Sequence, residues 1–212
     1  MVFTPAPQAD ARDSFRQYLE ESYQRRSLVH LAAGSSVPLI KKNVWLVVRG
    51  MVSLSTLSYQ GDELLVGLAG PNEPFGEPLS NLEAYQARAL ADCDLLCLPC
   101  DEIARSSHLA VALLQGLAAR YRQSEALLAL LGLRRIEDRV RGFLELLAHD
   151  YGQPCDQGLR LDLRLTHQEI ANALSTTRVT VTRALGSLRE QGWLQLDPQR
   201  RLVLSPLPVP RS

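Results

Sequence analysis

The sequence predicts an α+β protein made of a small β-barrel, a long helix, and a C-terminal unit of two short helices closed by a β-hairpin. Three observations carry this prediction. Short β-type runs separated by glycine turns fill the first half, an apolar stripe at helical spacing follows, and a helix-capping signal opens the last third. Of 212 residues, 46% are hydrophobic and 22% charged, a composition that excludes disorder as the main state.

The charge of the chain is balanced. There are 23 basic and 23 acidic side chains, so a histone-like polycation is excluded. Apart from Lys41 and Lys42, every basic residue is an arginine. A planar guanidinium suits phosphates and guanine edges, although the base composition of the genome explains an arginine excess equally well.

The apolar runs of the chain are short. The longest near the middle, residues 126–131, falls far short of the ~20 residues that cross a bilayer. The N-terminus has no basic residue ahead of an apolar block and does not resemble a secretory signal. We therefore expect a cytoplasmic protein that does not span a membrane. Its cysteines are expected to be reduced thiols: Cys93, Cys97, Cys100 and Cys155.

Short strands are expected from Ser27 onwards, after a charged lead-in that contains a candidate helix at residues 11–26. Turn clusters rich in Gly, Ser, Asn and Pro separate the β-type runs. Regularly spaced short strands with glycine turns predict a small sandwich or barrel. The runs are residues 28–31, 44–48, 51–57, 63–68 and 87–98.

A long helix is predicted between Ala110 and Gly132, and Gly132 is a candidate hinge. Apolar residues recur there at spacings of three and four, the a/d rhythm of a coiled-coil seam with one polar member. Such a narrow stripe indicates pairing with the same helix of a second copy, and packing on the chain's own barrel is the alternative. The expected dimer interface is Leu113, Leu117, Tyr121, Ser124, Leu128 and Leu131.

A second amphipathic helix is predicted from Ile136 to Tyr151, where Gly152 supplies a stop. After a polar turn, residues 159–165 alternate leucine with arginine and aspartate. This alternation predicts a strand with one solvated face.

The next segment predicts two short helices joined by a tight turn. Thr166 and Glu169 have the spacing of a capping box, which marks a helix start. The first helix ends near residues 175–177, and a second follows with apolar residues at helical spacing. This arrangement predicts a helix-turn-helix.

The exposed face of the second helix suits the major groove of DNA. With Val181 facing the core, Val179 and Arg183 point away from it, and Arg178 and Thr182 lie on one shoulder. This face has no acid before Glu190, whereas the exposed face of a generic helical hairpin normally carries Glu and Lys. Arginine forks fit guanine, methyl groups fit thymine, and hydroxyls fit phosphates. The hydroxyls at the N-terminal end and the other shoulder are those of Thr176, Thr177 and Thr180.

A β-hairpin at residues 193–204 follows, and with residues 159–165 it predicts a small sheet beside the two helices. Its tip carries Arg200 and Arg201, which suit phosphate contact. The sequence therefore predicts a winged helix-turn-helix.

The order of these elements resembles the Crp/Fnr family of bacterial transcription regulators. The resemblance implies an N-terminal cyclic-nucleotide-binding-type β-barrel (a jelly roll), a long dimerisation helix and a C-terminal winged helix-turn-helix. Residues 158–171 and 175–183 are especially similar to the cyanobacterial global nitrogen-control regulators.

The resemblance also implies roles for individual side chains. Arg178, Val179 and Arg183 occupy the base-reading positions, and Val179 implies a palindrome of the GTA…TAC type. The phosphate-contacting positions at the start of the first helix are those of Thr166, His167 and Gln168. The family usually has Gly where Ser175 stands, so a positive φ at Ser175 is expected to carry strain.

The sensor half departs from the family pattern. The resemblance places a candidate effector pocket at Phe75, Gly76, Glu77 and Arg88. However, Glu83 stands near the position of the arginine that grips a cyclic phosphate, and a glutamate repels an anion. Cyclic AMP is therefore not expected. The carboxylate-gripping arginine of the nitrogen-control relatives is also missing from its expected position, which argues against 2-oxoglutarate.

We therefore predict a homodimeric DNA-binding transcription regulator of the nutrient-response kind, with double-stranded DNA and RNA polymerase as partners. The expected parts are a sensor barrel at residues 1–105, a dimerisation helix and hinge at 106–134, and the DNA-binding domain at 135–212. An effector of unknown identity is expected to act through the pairing of the long helices.

Two alternatives for the sensor half stay open: a scaffold that binds no ligand, and a metal or thiol-redox sensor that uses Cys93, Cys97 and Cys100. We favour structural thiols and expect no cofactor and no metal. An enzyme is not expected, because the sequence shows no catalytic constellation.

Overall fold

The computed structural model describes residues 27–205, which divide into two compact units at Ser124/Glu125. The candidate helix at residues 11–26 lies outside the described residues. The strands are β1 (Val29–Leu31), β2 (Asn43–Arg49), β3 (Val52–Leu57), β4 (Glu63–Ala69), β5 (Pro74–Phe75), β6 (Gln86–Ala89), β7 (Cys93–Pro99), β8 (Gly152–Cys155), β9 (Gly158–Leu161), β10 (Leu194–Leu196) and β11 (Leu202–Leu204). The helices are α1 (Cys100–Arg105), α2 (Ser107–Leu131), α3 (Ile136–Tyr151), α4 (His167–Ala173) and α5 (Arg178–Glu190). None of the helices in this range has the length and hydropathy needed to cross a membrane.

The first unit contains two antiparallel sheets, ordered β1-β7-β2-β5 and β4-β3-β6. A buried cluster that includes Trp45, Val47, Leu54, Phe75 and Leu95 forms its core. The predicted barrel is confirmed as a jelly-roll-like pair of sheets, which do not close into one continuous barrel.

One predicted strand is two strands in the structure. Residues 87–98 were expected to be continuous, but β6 pairs with β3 in one sheet, whereas β7 pairs with β1 and β2 in the other. The chain must cross between the sheets, and it turns near Asp92, whose side chain accepts the backbone N–H of Ala33 at 2.9 Å. Apolar content alone did not show where one sheet ends and the other begins.

Strands β2 and β7 are buried on both faces. A second apolar cluster joins Val44, Leu46 and Leu98 to Ile103 of α1 and Leu109 of α2. This arrangement explains why both strands have continuous apolar runs rather than an alternating pattern.

The second unit packs α3, α4 and α5 around a four-stranded sheet of order β10-β11-β9-β8. The predicted wing and the helix from Ile136 to Tyr151 are confirmed. The predicted strand at residues 159–165 ends at Leu161, because Leu161 pairs with Gly152, the first residue of β8 after α3, and no partner strand continues beyond it.

Candidate nucleic-acid interface

The first helix of the pair, α4, begins at a complete capping box. The backbone N–H of Glu169 donates to the Thr166 hydroxyl at 3.1 Å, and the backbone N–H of Thr166 donates to the Glu169 carboxylate at 2.6 Å. Ile170 and Ala171 are fully buried. The capping box and this buried face fix where the helix starts and which side points outward.

The turn between the helices adopts the expected left-handed conformation. Ser175 has φ 48°, and the backbone N–H of Thr176 donates to the carbonyl of Ala171 at 3.1 Å, as in a Schellman-type helix end. The strain expected from a non-glycine residue at Ser175 is therefore present in this turn.

The second helix, α5, is the recognition helix of the predicted interface. Thr177 caps it by accepting the backbone N–H of Thr180 at 3.2 Å. One side is buried through Val181, Ala184, Leu185 and Leu188. The opposite side, which we name the reading face, consists of four exposed side chains: Arg178, Val179, Thr182 and Arg183.

The reading face is cationic and carries no ion pair. Among residues 27–205, neither Arg178 nor Arg183 forms a salt bridge, and the first acid along the recognition helix is Glu190. The guanidinium groups are therefore free to meet phosphates or base edges. Of the predicted phosphate contacts, Thr177 is exposed, whereas Thr176 and Thr180 are half-buried.

The predicted contacts at the start of α4 lie beside the recognition helix. Nδ1 of His167 is 2.8 Å from the hydroxyl oxygen of Thr182, while Gln168 is exposed and donates to Asn172 at 2.7 Å. Burial, together with the charges of Arg189 and Arg178, lowers the pKa of His167. The structure therefore places His167 against the recognition helix and leaves Gln168 exposed on α4.

The two arginines at the wing tip have different surroundings. Arg201 is held by ion pairs to Asp197 at 2.7 Å and Asp162 at 2.8 Å. Arg200 is exposed, has φ 62°, and has no ion pair among the described residues. Of these two arginines, Arg200 is therefore the one whose guanidinium no acid among the described residues holds.

The exposed side of α2 does not coincide with the first half of the predicted dimer stripe. Tyr121 and Leu128 are 65% and 71% exposed and Ser124 is also exposed, but Leu113, Leu117 and Leu131 are half-buried within the chain. The exposed apolar residues of α2 follow a heptad pattern. This pattern includes two residues that the predicted stripe lacks, Val111 and Leu114, which are 56% and 66% exposed.

The structure does not bring the predicted effector residues to one pocket. Phe75 is buried in the core beside Ala87, whereas Arg88 is exposed and donates Nε to the carbonyl of Gly34 at 3.0 Å. Because side chains alternate along a strand, Arg88 faces away from Ala87 and Phe75. Gly76 and Glu77 lie at the start of a short 3-10 turn.

Arg120 on α2 is a residue that the sequence analysis missed. Its Nη1 donates to the carbonyl of Leu68 at 3.0 Å, and its Nε is buried without a hydrogen-bond partner among the described residues. Burial raises the pKa of Tyr85, and the charge of Arg120 and a backbone hydrogen bond from Gly76 act in the opposite direction. Only the fold shows that Arg120 and Tyr85 are neighbours, because they are far apart in the sequence.

Two of the cysteines form hydrogen bonds inside the first unit. The Cys93 thiol is buried, donates to the carbonyl of Met51 at 3.2 Å, and has a pKa raised by burial. Cys97 accepts a hydrogen bond from the Asn43 amide at 3.1 Å. Within residues 27–205, no group of three or more His, Cys, Asp or Glu side chains could hold a metal ion.

Comparison with known proteins identifies the family. Residues 138–206 match the Crp-like helix-turn-helix domain, and residues 40–106 match the cyclic nucleotide-binding domain. The global nitrogen regulator of Nostoc sp. PCC 7120 is 34% identical over 181 residues, which cover 81% of each chain. The chain belongs to the Crp/Fnr family of transcription regulators.

Further Crp/Fnr proteins agree with this assignment. The regulatory protein CysR of Synechococcus elongatus is 35% identical over 173 residues, 80% of each chain. A CRP-family regulator from Thermus thermophilus shares the fold, with a TM-score of 0.70 at 23% identity over 84% of this chain and 92% of that one. The resemblance to the nitrogen-control regulators is confirmed, and this Crp/Fnr protein is a transcription regulator with a helix-turn-helix DNA-binding domain.

Proposed function

We propose that this Crp/Fnr regulator binds, as a homodimer, a pseudo-palindromic operator of the GTA…TAC type. Each recognition helix enters a major groove, and the two half-sites lie about one helical turn apart. The observation that carries the proposal is the reading face, which is exposed, cationic and rigidly backed by the buried side of α5.

Within each half-site, Arg178, Val179 and Arg183 read base edges, and surrounding polar groups bind phosphates. A guanidinium is a bidentate donor to guanine, and the Val179 methyl groups fit beside the thymine methyl. The proposed phosphate-binding residues are Thr166, His167, Gln168, Thr176, Thr177, Thr180, Thr182 and Arg200.

The experiment that tests this proposal is a binding titration with a labelled GTA…TAC duplex and duplexes changed at one base pair. We expect Arg183→Ala to lower affinity and to relax discrimination at one position by about 1–3 kcal/mol. Val179→Glu should shift the base preference towards cytosine, because the cytosine amino group can donate a hydrogen bond to the glutamate carboxylate. Arg105→Ala is the matched control, because Arg105 is an exposed arginine of α1 that pairs with Asp101.

The proposal is wrong if the wild-type protein binds the palindrome and a scrambled duplex equally. It is also wrong if Arg183→Ala and Arg105→Ala have the same effect on discrimination.

Dimerisation is proposed to occur along the exposed apolar seam of α2, through Val111, Leu114, Tyr121 and Leu128. The support for this step is that Leu114, Tyr121 and Leu128 repeat every seven residues, with Val111 one turn earlier, and that all four are more than half exposed. Of the predicted interface residues, Leu113, Leu117 and Leu131 then flank the seam, and Ser124 lies beside it. In the proposed cellular setting, the dimer acts on DNA in the cytoplasm and contacts RNA polymerase.

For the sensor unit, the specific observation is the half-buried cation of Arg120, whose buried Nε has no partner among the described residues. An anion placed against Arg120 and the Tyr85 hydroxyl would neutralise this charge. We propose that the effector is a small anion bound there, rather than at the Phe75–Arg88 positions. A thermal-shift screen of small carboxylates and phosphates should find a compound that raises Tm for wild type and Arg88→Gln, but not for Arg120→Gln.

An equal Tm increase in the Arg120→Gln variant would show that the anion binds away from Arg120. No Tm increase for any anion would favour the scaffold that binds no ligand. Stoichiometric zinc or iron in the purified protein would favour a metal sensor that uses Cys93, Cys97 and Cys100.

A further inference from the structure

His167, the first residue of α4, takes part in a chain of hydrogen bonds with the recognition helix. The Thr182 hydroxyl lies 2.9 Å from the carbonyl oxygen of Arg178 and 2.8 Å from Nδ1 of His167. A carbonyl only accepts, and a hydroxyl has one hydrogen. Both contacts can be hydrogen bonds at once only when the hydroxyl donates to Arg178 and accepts from Nδ1–H of His167, so this arrangement favours a hydrogen on Nδ1.

This arrangement favours one neutral form of the imidazole ring. A neutral ring has one N–H, so with Nδ1 protonated the other nitrogen, Nε2, presents a lone pair. Nε2 has no hydrogen-bond partner among residues 27–205. A lone pair cannot donate to a phosphate oxygen. Neutral His167 is therefore unsuited to the phosphate contact that its position implies.

The charged groups around His167 are mainly cationic. Arg178 and Arg189 lie on the recognition helix, and the lowered pKa of His167 is consistent with burial and with their charges. Arg164, before α4, and Arg200, on the wing, line the same 360 Å³ cleft as His167. The acid on α4, Glu169, is engaged in the capping box. These surroundings favour the neutral ring in the free protein.

A phosphate against Nε2 reverses this balance, because a nearby negative charge favours the imidazolium and Nε2–H can then donate to it. We propose that His167 takes up one proton from solvent per protomer when the protein binds DNA, so that Nε2–H donates to a backbone phosphate. The inference rests on the proposed function, because it places α4 against the DNA backbone.

The consequence is an affinity for DNA that rises as the pH falls. His167 binds more protons in the complex than in the free protein, so the complex is favoured at lower pH. The limit is about a tenfold change in affinity per pH unit for each proton taken up. We expect the dissociation constant of the complex between the dimer and DNA to fall at least about fivefold between pH 8 and pH 6, as the His167 ring titrates.

The experiment measures the dissociation constant for the GTA…TAC duplex by fluorescence anisotropy at several pH values and constant salt. His167→Gln and His167→Arg should each remove the pH dependence, because glutamine does not titrate and arginine is always charged. Thr182→Val should weaken it, because the ring can then place its single hydrogen on Nε2 without taking up a proton. Thr182→Ser retains the hydroxyl and should retain the wild-type slope.

His149→Gln is the control for other histidines, because His149 lies at the end of α3 beside Asp150. It should leave the pH slope unchanged. The inference is overturned if wild-type affinity is flat between pH 8 and pH 6, or if both His167 variants keep the wild-type slope. The failure of this inference is distinguishable from the failure of the proposed function. A flat pH profile with intact operator discrimination would overturn the proton uptake and leave the proposed DNA binding in place.

Discussion

The side-chain oxygen of Gln123 on α2 accepts the backbone N–H of Leu68 on β4 at 2.8 Å. Arg120, one turn earlier, donates to the carbonyl of the same Leu68 at 3.0 Å. Strand β4 lies at the edge of its sheet, so the helix supplies partners for backbone groups that no neighbouring strand reaches. Two side chains of α2 thus satisfy both backbone groups of Leu68 at this edge.

Gln123→Leu is expected to destabilise the first unit. The substitution leaves the buried N–H of Leu68 without an acceptor, which costs about 1–3 kcal/mol in the free energy of unfolding. Urea denaturation measures the change. Ser124→Ala, at the neighbouring exposed position, should shift the unfolding free energy by less than about 0.5 kcal/mol. Equal effects of the two substitutions would contradict the role of this bond.

Ser175→Gly is expected to stabilise the second unit. Glycine adopts a positive φ without the steric cost that serine bears, and part of this gain is offset by the greater freedom of glycine in the unfolded chain. The net increase in the free energy of unfolding should be about 0.5–1 kcal/mol. Ser187→Gly, inside α5, should instead lower stability by a similar amount. A lower urea midpoint for Ser175→Gly would show that the turn is not strained.

Substitutions at the wing tip should separate stability from binding. Arg200→Gly relieves the positive φ and should raise stability, yet it removes a phosphate contact and should weaken binding to all duplexes alike. The slope of log affinity against log salt should fall by about 0.9 per lost contact. Arg201→Gly breaks two ion pairs, so it should lower stability. If Arg200→Gly left the salt slope unchanged, Arg200 would not contact DNA.

Charge on the exposed apolar seam should dissociate the dimer. Leu114→Glu or Leu128→Glu places a carboxylate in the proposed interface, and we expect the dissociation constant of the dimer to rise about a hundredfold or more. Analytical ultracentrifugation measures the mass as a function of concentration. Leu57→Glu is a matched control, because Leu57 is an exposed leucine at the end of β3. A dimer that survives both seam changes would place the interface elsewhere.

The sequence predicted those features of the structure that depend on residues close together in the chain. The capping box of Thr166 and Glu169 uses groups three residues apart, and the phasing of α5 follows from the helical repeat. The alternating pattern predicted a strand that is too long beyond Leu161, because the partner strand β8 begins only at Gly152 and gives no pairing further along. Along α2, Leu113 is half-buried and Leu114 is exposed although both are leucines, because packing decides which of the two is covered.

Short-range patterns were enough to predict the helix-turn-helix and its outward arginines, because these depend on bonds and periodicities within a few residues. The left-handed residue at Ser175 was expected from the family resemblance. The long-range packing brings Arg120 to Leu68, pairs Arg201 with Asp162 while Arg200 has no ion pair among the described residues, and places Thr182 against His167. Those relationships join residues distant in the chain, whose proximity is set by how the sheets and helices pack rather than by any local pattern.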